Sequence, residues 1–307
     1  MSEKIQLFET FRHQLAKSGD VSLAGLCARH GDVCGNARVK YMGDLVEITV
    51  CDRAIWREDG YELPMRADKP PMRKSTEKSE KSEKSEKLPD IQRSARRASQ
   101  MLREYALCNR LPLFVTFTLD GAKVDRYDPV VITKKLNVWL DNRVRRKGLQ
   151  YLVVAEWHKD GAVHFHGLIN DVLPRVDSGT VIPPGGGKPR KPRSLRQRAE
   201  WLDGGGQVVY NLPDWSLGFS TAVLIKGDYL RTVNYVCKYI GKQKSDPRGK
   251  VGGRWYYHSS NLVRARQDVM WWSIDEALVA GGKLYHVPEA GRSFVYLTME
   301  KGEFQDE

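Results

Sequence analysis

The chain of 307 residues has no uninterrupted apolar run of about 18 residues, the length an α-helix needs to cross a bilayer. Its opening stretch, MSEKIQLFETFRHQLAK, lacks the apolar core of a secretory signal. Both absences predict a cytoplasmic protein with no membrane partner. Cysteine is scarce: five residues, an odd number in so long a chain, do not make a disulfide framework, which fits a reducing compartment. Cys27, His30, Cys34 and Cys51 are a conceivable zinc set, but their spacing matches no zinc module. There is no GxxxxGK[ST] segment, and the GGGK ending at Lys188 fails that spacing and follows no strand, so no built-in helicase is expected. Acidic residues are outnumbered, 38 against 50 Lys and Arg, and the resulting net charge of +12 favours a polyanionic partner without naming it.

What is present divides by composition. Residues 1–65 read as an N-terminal appendage, with strand-like alternation at Leu45–Val50. Residues 66–90 form a charged, low-complexity linker containing EKSEKSEKSEK. Its Glu-before-Lys pairs four apart, Glu83–Lys87 among them, also suit a solvated helix; either state is a spacer. Residues 91–290 carry the motifs described below, and 291–307 add a C-terminal strand and tail. With 41% hydrophobic residues, the main segment has enough apolar material for a sizeable core.

Helical periodicity opens that segment. Ile91, Ala95, Ala98, Leu102 and Tyr105 share one face of Ile91–Cys108, and Arg96 and Arg97 lie elsewhere, either merely solvated or placed for phosphate contacts. Leu113–Leu119, LFVTFTL, alternates apolar and semi-polar residues as a half-buried strand does. Asp128 with Pro129 signals a helix start, and Gly148, after a basic last turn, its end.

The central stretch is YLVVAEWHKDGAVHFHGLIN, Tyr151–Asn170, which reads as a β-hairpin. His164 and His166 project from one face of the second strand, because side chains alternate along it. A three-residue loop, Lys159-Asp160-Gly161 with Gly161 left-handed, sets His158 opposite Ala162 and Glu156 opposite His164. A two-residue loop turns Glu156 to the far face. The first register gathers two imidazoles and a carboxylate, a donor set suited to Mg²⁺ or Mn²⁺ more than to a closed structural zinc. Two half-exposed histidines beside a surface glutamate are the simpler alternative.

Asp228–Lys244, DYLRTVNYVCKYIGKQK, predicts a helix capped by Asp228, with Tyr229, Val233, Val236 and Ile240 as its apolar stripe. Tyr235 and Tyr239 lie four apart, each followed three residues later by a lysine, Lys238 and Lys242, so phenols and cations share a side. A nearby cation favours the phenolate. Between hairpin and helix lies an irregular insertion, Val181–Gly206, whose Lys188, Arg190, Lys191 and Arg193 either track a nucleic-acid backbone or decorate a surface loop. Arg254-Trp255-Tyr256-Tyr257 reads as a further strand whose aromatics either stack on bases or, as is commoner for aromatics in a strand, belong to the core.

Taken together, LFVTFTL, HFHG with the upstream Glu156, and YxxKYxxK occur in the order of the three motifs of the HUH endonuclease superfamily. Over about Ile91 to Leu262 the chain resembles rolling-circle replication initiators (Rep) similar to filamentous-phage gene II-type replication proteins. The resemblance implies an α+β fold, a central antiparallel sheet with flanking helices in an RRM/ferredoxin-like palm. It also implies a site-specific DNA endonuclease and strand transferase. Glu156, His164 and His166 would hold Mg²⁺ or Mn²⁺, while Tyr239 attacks first and Tyr235 second, assisted by Lys242 and Lys238. The expected products are a 5′-phosphotyrosine adduct and a 3′-hydroxyl that primes replication. The expected partners are single-stranded origin DNA, with a hairpin as one form, and a host helicase and DNA polymerase. A transposase or relaxase of a mobile element shares this chemistry, and a non-catalytic nucleic-acid-binding protein is the alternative of a different class.

Overall fold

A computed structural model describes residues 33–57, 83–287 and 292–304. Cys27, His30 and most of the predicted linker lie outside the described residues. In chain order the elements are β1 (Val33–Met42), β2 (Leu45–Arg57), α1 (Glu83–Asn109), β3 (Leu113–Leu119), α2 (Pro129–Lys147), β4 (Tyr151–Trp157), β5 (Val163–Ile169) and β6 (Val176–Ile182). There follow α3 (Leu195–Asp203), β7 (Gln207–Asn211), β8 (Gly218–Leu224), α4 (Tyr229–Ser245), β9 (Tyr257–His258), β10 (Arg266–Met270), α5 (Ile274–Val279), β11 (Lys283–Val287) and β12 (Arg292–Glu300). The fold is α+β, with two antiparallel sheets flanked by helices. The described residues form two compact units, one within 79–264 and a second in which residues 33–57 join those after 264.

Residues 79–264 hold a seven-stranded sheet in the order β6-β7-β8-β3-β5-β4-β9. Both of its faces carry helices, so the central strands are apolar on each side. On one face α2 packs Ile132, Leu136 and Leu140 over Val115, Phe117, Val153 and Phe165. The other face sets Leu152, Val154 and Leu168 against Ala98 and Leu102 of α1 and Val236 and Ile240 of α4. The predicted caps are in place. Asp128 accepts hydrogen bonds from the amides of Val130 and Val131, and Gly148 closes α2 in the left-handed conformation at φ 64°. Arg143 and Lys147 of α2 bind Asp214, at 3.2 and 2.8 Å, which gives part of that helix's basic end a structural role.

Three expectations need correction. α1 begins at Glu83, inside the stretch assigned to the linker, in keeping with its Glu-before-Lys spacing. The insertion is not wholly irregular: it contains α3, whose N-cap Ser194 accepts from the amide of Gln197. Arg254–Tyr257 does not form a strand; only Tyr257–His258 pairs with β4, while Trp255 and Tyr256 pack half-buried against the core beneath α1 and α4.

The second unit is a five-stranded sheet, β10-β1-β2-β12-β11. Its core is Val39, Val46, Ile48, Val50, Val295 and Leu297, with Ala277 of α5 packed against them. The boundary expected at residue 290 therefore falls after Arg264. The physical reason is pairing: β10 completes a ladder with β1, and β12 with β2, so the C-terminal strands belong to the N-terminal sheet.

Candidate active site

The β4–β5 hairpin adopts the three-residue loop. The amide of His158 donates to the Ala162 carbonyl at 2.8 Å, and Gly161 sits at φ 89°, a conformation that costs glycine little. Glu156 consequently lies opposite His164. Gly167, which ends HFHG, has a different task. A Cβ built there would lie 2.1 Å from the Leu152 carbonyl oxygen, so the missing side chain lets β5 approach β4.

Pairing on both sides of β3 arranges the face beneath α4 into rows. One row runs Glu156, His164, Thr118, Phe219 across β4, β5, β3 and β8, and the next runs Val154, His166, Thr116, Thr221. Each histidine thus meets a threonine. Thr116 Oγ1 lies 3.1 Å from His166 Nδ1, and Thr118 Oγ1 lies 3.4 Å from His164 Nδ1. A hydroxyl both donates and accepts, so it serves either imidazole tautomer while holding the ring so that Nε2 faces away from it. Burial pushes the His166 pKa down to about 4, against the opposing pull of Glu156, and burial followed by the neighbouring His158 lowers that of His164. Both rings are therefore neutral near pH 7, the form that binds metals.

α4 starts at Asp228, whose side chain accepts from the Arg231 amide, and buries Val233, Val236 and Ile240. That stripe turns Tyr239 onto the hairpin. Its ring stacks on His166 at 4.1 Å and 5°. The Tyr239 hydroxyl donates to that of Tyr235 at 2.8 Å. The two phenols differ in access, since Tyr239 is 4% exposed and Tyr235 47%. Burial first, and then the bond to Tyr235, raise the Tyr239 pKa far above the usual phenol range. Lys242 reaches Glu156 Oε1 at 2.5 Å and stands 4.8 Å from the centre of the Tyr239 ring. The other carboxylate oxygen, Oε2, lies 2.8 Å from His166 Nε2. Gln243, next to Lys242, is 2% exposed and donates to the carbonyls of Ala155, next to Glu156, and Trp255.

Glu156, His164, His166, Tyr235, Tyr239 and Lys242 are thus brought together. Lys238 is exposed and lines, with Tyr235 and Lys188, a cavity of about 590 Å³. Arg190, Lys191 and Arg193 are exposed and do not line that cavity, and Arg96 and Arg97 stand exposed on α1. Trp255 and Tyr256 pack half-buried against the core, the commoner of the two readings for strand aromatics, and not as a base-stacking surface. Sequence reading missed the contacts of Thr116, Thr118 and Gln243. The threonines' signal was their alternation in LFVTFTL, which needed the β3–β5 register to become specific.

Among the described residues no group of three or more His, Cys, Asp or Glu is arranged to hold a metal ion. The geometry gives the reason: Lys242 and His166 take the two Glu156 oxygens, and the His164 ring stacks on His158 at 5.0 Å. The donor types nevertheless fit a divalent cation, with two neutral imidazoles whose Nδ1 atoms face hydroxyls beside one carboxylate.

No curated protein and no solved structure matches the chain. A family model does: residues 112–244, from the start of β3 to the end of α4, match the family of replication-associated proteins of the ORF2 and gene II protein type. That match spans β3 to α4, the strands and helix that bring the site residues together, so this part of the chain is similar to the replication-associated proteins of the ORF2 and gene II type.

Proposed function

We propose that residues 79–264 nick single-stranded DNA at a replication origin by tyrosine transesterification. The family match supports a role in replication initiation. The observation that carries the chemistry is the stacking of Tyr239 on His166, which places a two-tyrosine helix face against the hairpin bearing Glu156 and both histidines.

Tyr235 is the first nucleophile in this reading, the reverse of the order expected from the motif. Its hydroxyl is accessible and accepts a hydrogen bond from Tyr239, whereas Tyr239 is buried and retains its proton. The Tyr235 oxygen attacks the scissile phosphorus and the bond to the 3′-oxygen breaks. One phosphoester is exchanged for another, and the proton lost by the phenol is made good on the departing 3′-oxygen. The products are a 5′-phosphotyrosine and a 3′-hydroxyl that a polymerase can extend. Tyr239, released from Tyr235, serves a second transfer. Lys238, on the Tyr235 side, neutralises phosphate charge, and Lys242 does so once it leaves Glu156. Glu156, His164 and His166 would hold Mg²⁺ or Mn²⁺, which when bound supplies Lewis-acid polarisation of the phosphate.

The test is to incubate the protein with labelled single-stranded oligonucleotides tiling the cognate origin and Mn²⁺, then resolve a denaturing gel. A covalent adduct is expected, greatly reduced in Tyr235→Phe and absent in Tyr235→Phe/Tyr239→Phe. Adduct formation by the double variant sinks the tyrosine assignment. Binding without any adduct supports the non-catalytic alternative.

A further inference from the structure

The sheet face that holds the histidines is only half covered by helices. Over β4 and β5 it is sealed by α1 and α4. Over β3, β8 and β7 it opens into the 590 Å³ cavity, within the size range of ligand sites. Phe114, Val209, Val223 and Ile225 make its floor; Gly187, Lys188 and Pro189 of the insertion form one wall, and Arg231, Tyr235 and Lys238 of α4 another. Thr221 and Val223 face this side of β8, and two residues before Thr221 on the same face stands Phe219, 69% exposed, across from Thr118 and so in the row of His164 and Glu156. A phenylalanine so exposed on a sheet face is unexplained by folding.

The charge of the cavity is one-sided. Lys188, Lys226, Arg231 and Lys238 line it and, among the described residues, no acidic one does, although the chain has 38 acidic residues to 50 basic ones. Cations alone suit any polyanion. Combined with an apolar floor and an exposed ring along one strand, they suit a ligand that alternates flat apolar faces with phosphates.

We propose that single-stranded DNA lies along β8, its bases against Phe219, Val223 and Ile225 and its phosphates on Lys188, Lys226, Arg231 and Lys238. This rests on the nickase reading for its placement beside the scissile phosphate. From Phe219 to Ile225 the track is about 20 Å at strand rise, space for a few nucleotides. It delivers the strand past Tyr235, the accessible phenol, towards the carboxylate and histidines. The Gly187–Pro189 arm gives the insertion a task that the basic run alone did not specify: one lysine, Lys188, borders the track.

The experiment is fluorescence anisotropy of a labelled 12-nucleotide oligo(dT) with the full chain in chelator, so that binding is read without cleavage. Phe219→Ala is expected to weaken binding about five-fold or more, the effect of one lost base stack. Lys226→Glu/Arg231→Glu is expected to weaken it at least ten-fold and to flatten the slope of log K against log[salt] by about 1.4, two single-strand phosphate contacts. All three residues are exposed, so unchanged thermal melting is expected for the variants. Arg146→Glu, on α2 across the sheet, is expected to bind as wild type. The proposal is overturned if the β8 and α4 variants bind like wild type, if Arg146→Glu weakens binding equally, or if a 12-base-pair duplex binds as tightly as the single strand. Adduct formation separates the two readings. A wild-type adduct with unaffected β8 variants sinks the track alone; lost binding in those variants with no wild-type adduct under Mn²⁺ sinks the nickase and keeps the track.

Discussion

Lys242 stands where two demands conflict, and Lys242→Met separates them. Its ammonium lies 2.5 Å from Glu156 Oε1, on a carboxylate that the proposed divalent cation also needs. Any cation that binds Glu156 must first displace it. Lys242 is 59% exposed, so the net worth of the pair is that of a solvent-screened bridge, about 0.2–1 kcal/mol. Methionine keeps the length of the side chain and removes the charge. Released from that competition, the site is expected to bind Mn²⁺ about 1.4- to 5-fold more tightly, since 1.4 kcal/mol is a factor of ten. Cleavage is expected to move the other way, by about ten-fold or more, because the same cation is lost from beside the reacting phosphate. Loss of the free Mn²⁺ electron paramagnetic resonance signal on titration measures the first effect, and single-turnover adduct formation at saturating Mn²⁺ the second. Lys242→Arg keeps the charge and should retain near wild-type Mn²⁺ affinity. A weaker Mn²⁺ affinity in Lys242→Met refutes the competition argument, because it makes the lysine a support of the metal site.

Three further outcomes follow from contacts at the site. Thr116→Val removes the Nδ1 partner of His166, and Mn²⁺ affinity in the same titration is expected to fall about 10- to 100-fold with little change in melting temperature. Gln243→Met leaves the Ala155 and Trp255 carbonyls without its amide; chemical denaturation should show a loss of about 1–3 kcal/mol, and adduct formation should slow because α4 is no longer tied beside Glu156. Gly167→Ala forces a methyl onto the Leu152 carbonyl, at an expected cost of about 1–3 kcal/mol from overpacking, which a thermal melt will register as a fall of several degrees.

The hairpin was legible because its turn residues and its alternation constrain each other. Gly161 permits the left-handed corner, and once the loop has three residues the Glu156–His164 pair follows by counting. The tyrosine helix was legible for a similar local reason, an N-cap followed by an apolar stripe at helical spacing. What failed depended on distance. Nothing in the sequence near Val46 announces that Met299 will pair with it, because the β2–β12 ladder is specified only by two faces that match after folding. The difference between the two phenols was not legible either: YVCK and YIGK are equivalent as text, and only the packing of α4 buries Tyr239 and leaves Tyr235 accessible. The strand expected at Arg254–Tyr257 failed because aromatic residues suit a strand and a core alike, and Trp255 and Tyr256 pack on the core without pairing.

The sheet built from both ends of the chain has a kinetic corollary. Leu45 pairs with Glu300, so its ladder closes a loop of 255 positions, whereas residues 79–264 are continuous. During synthesis the continuous unit has every strand it needs long before the ribosome reaches β12, and it is free to fold first. Until then β1 and β2 are a lone ribbon, marginal without further strands. A nascent chain stalled after Arg264 should accordingly be protease-resistant across 79–264 and cleavable through 33–57, a maturation order written into the topology.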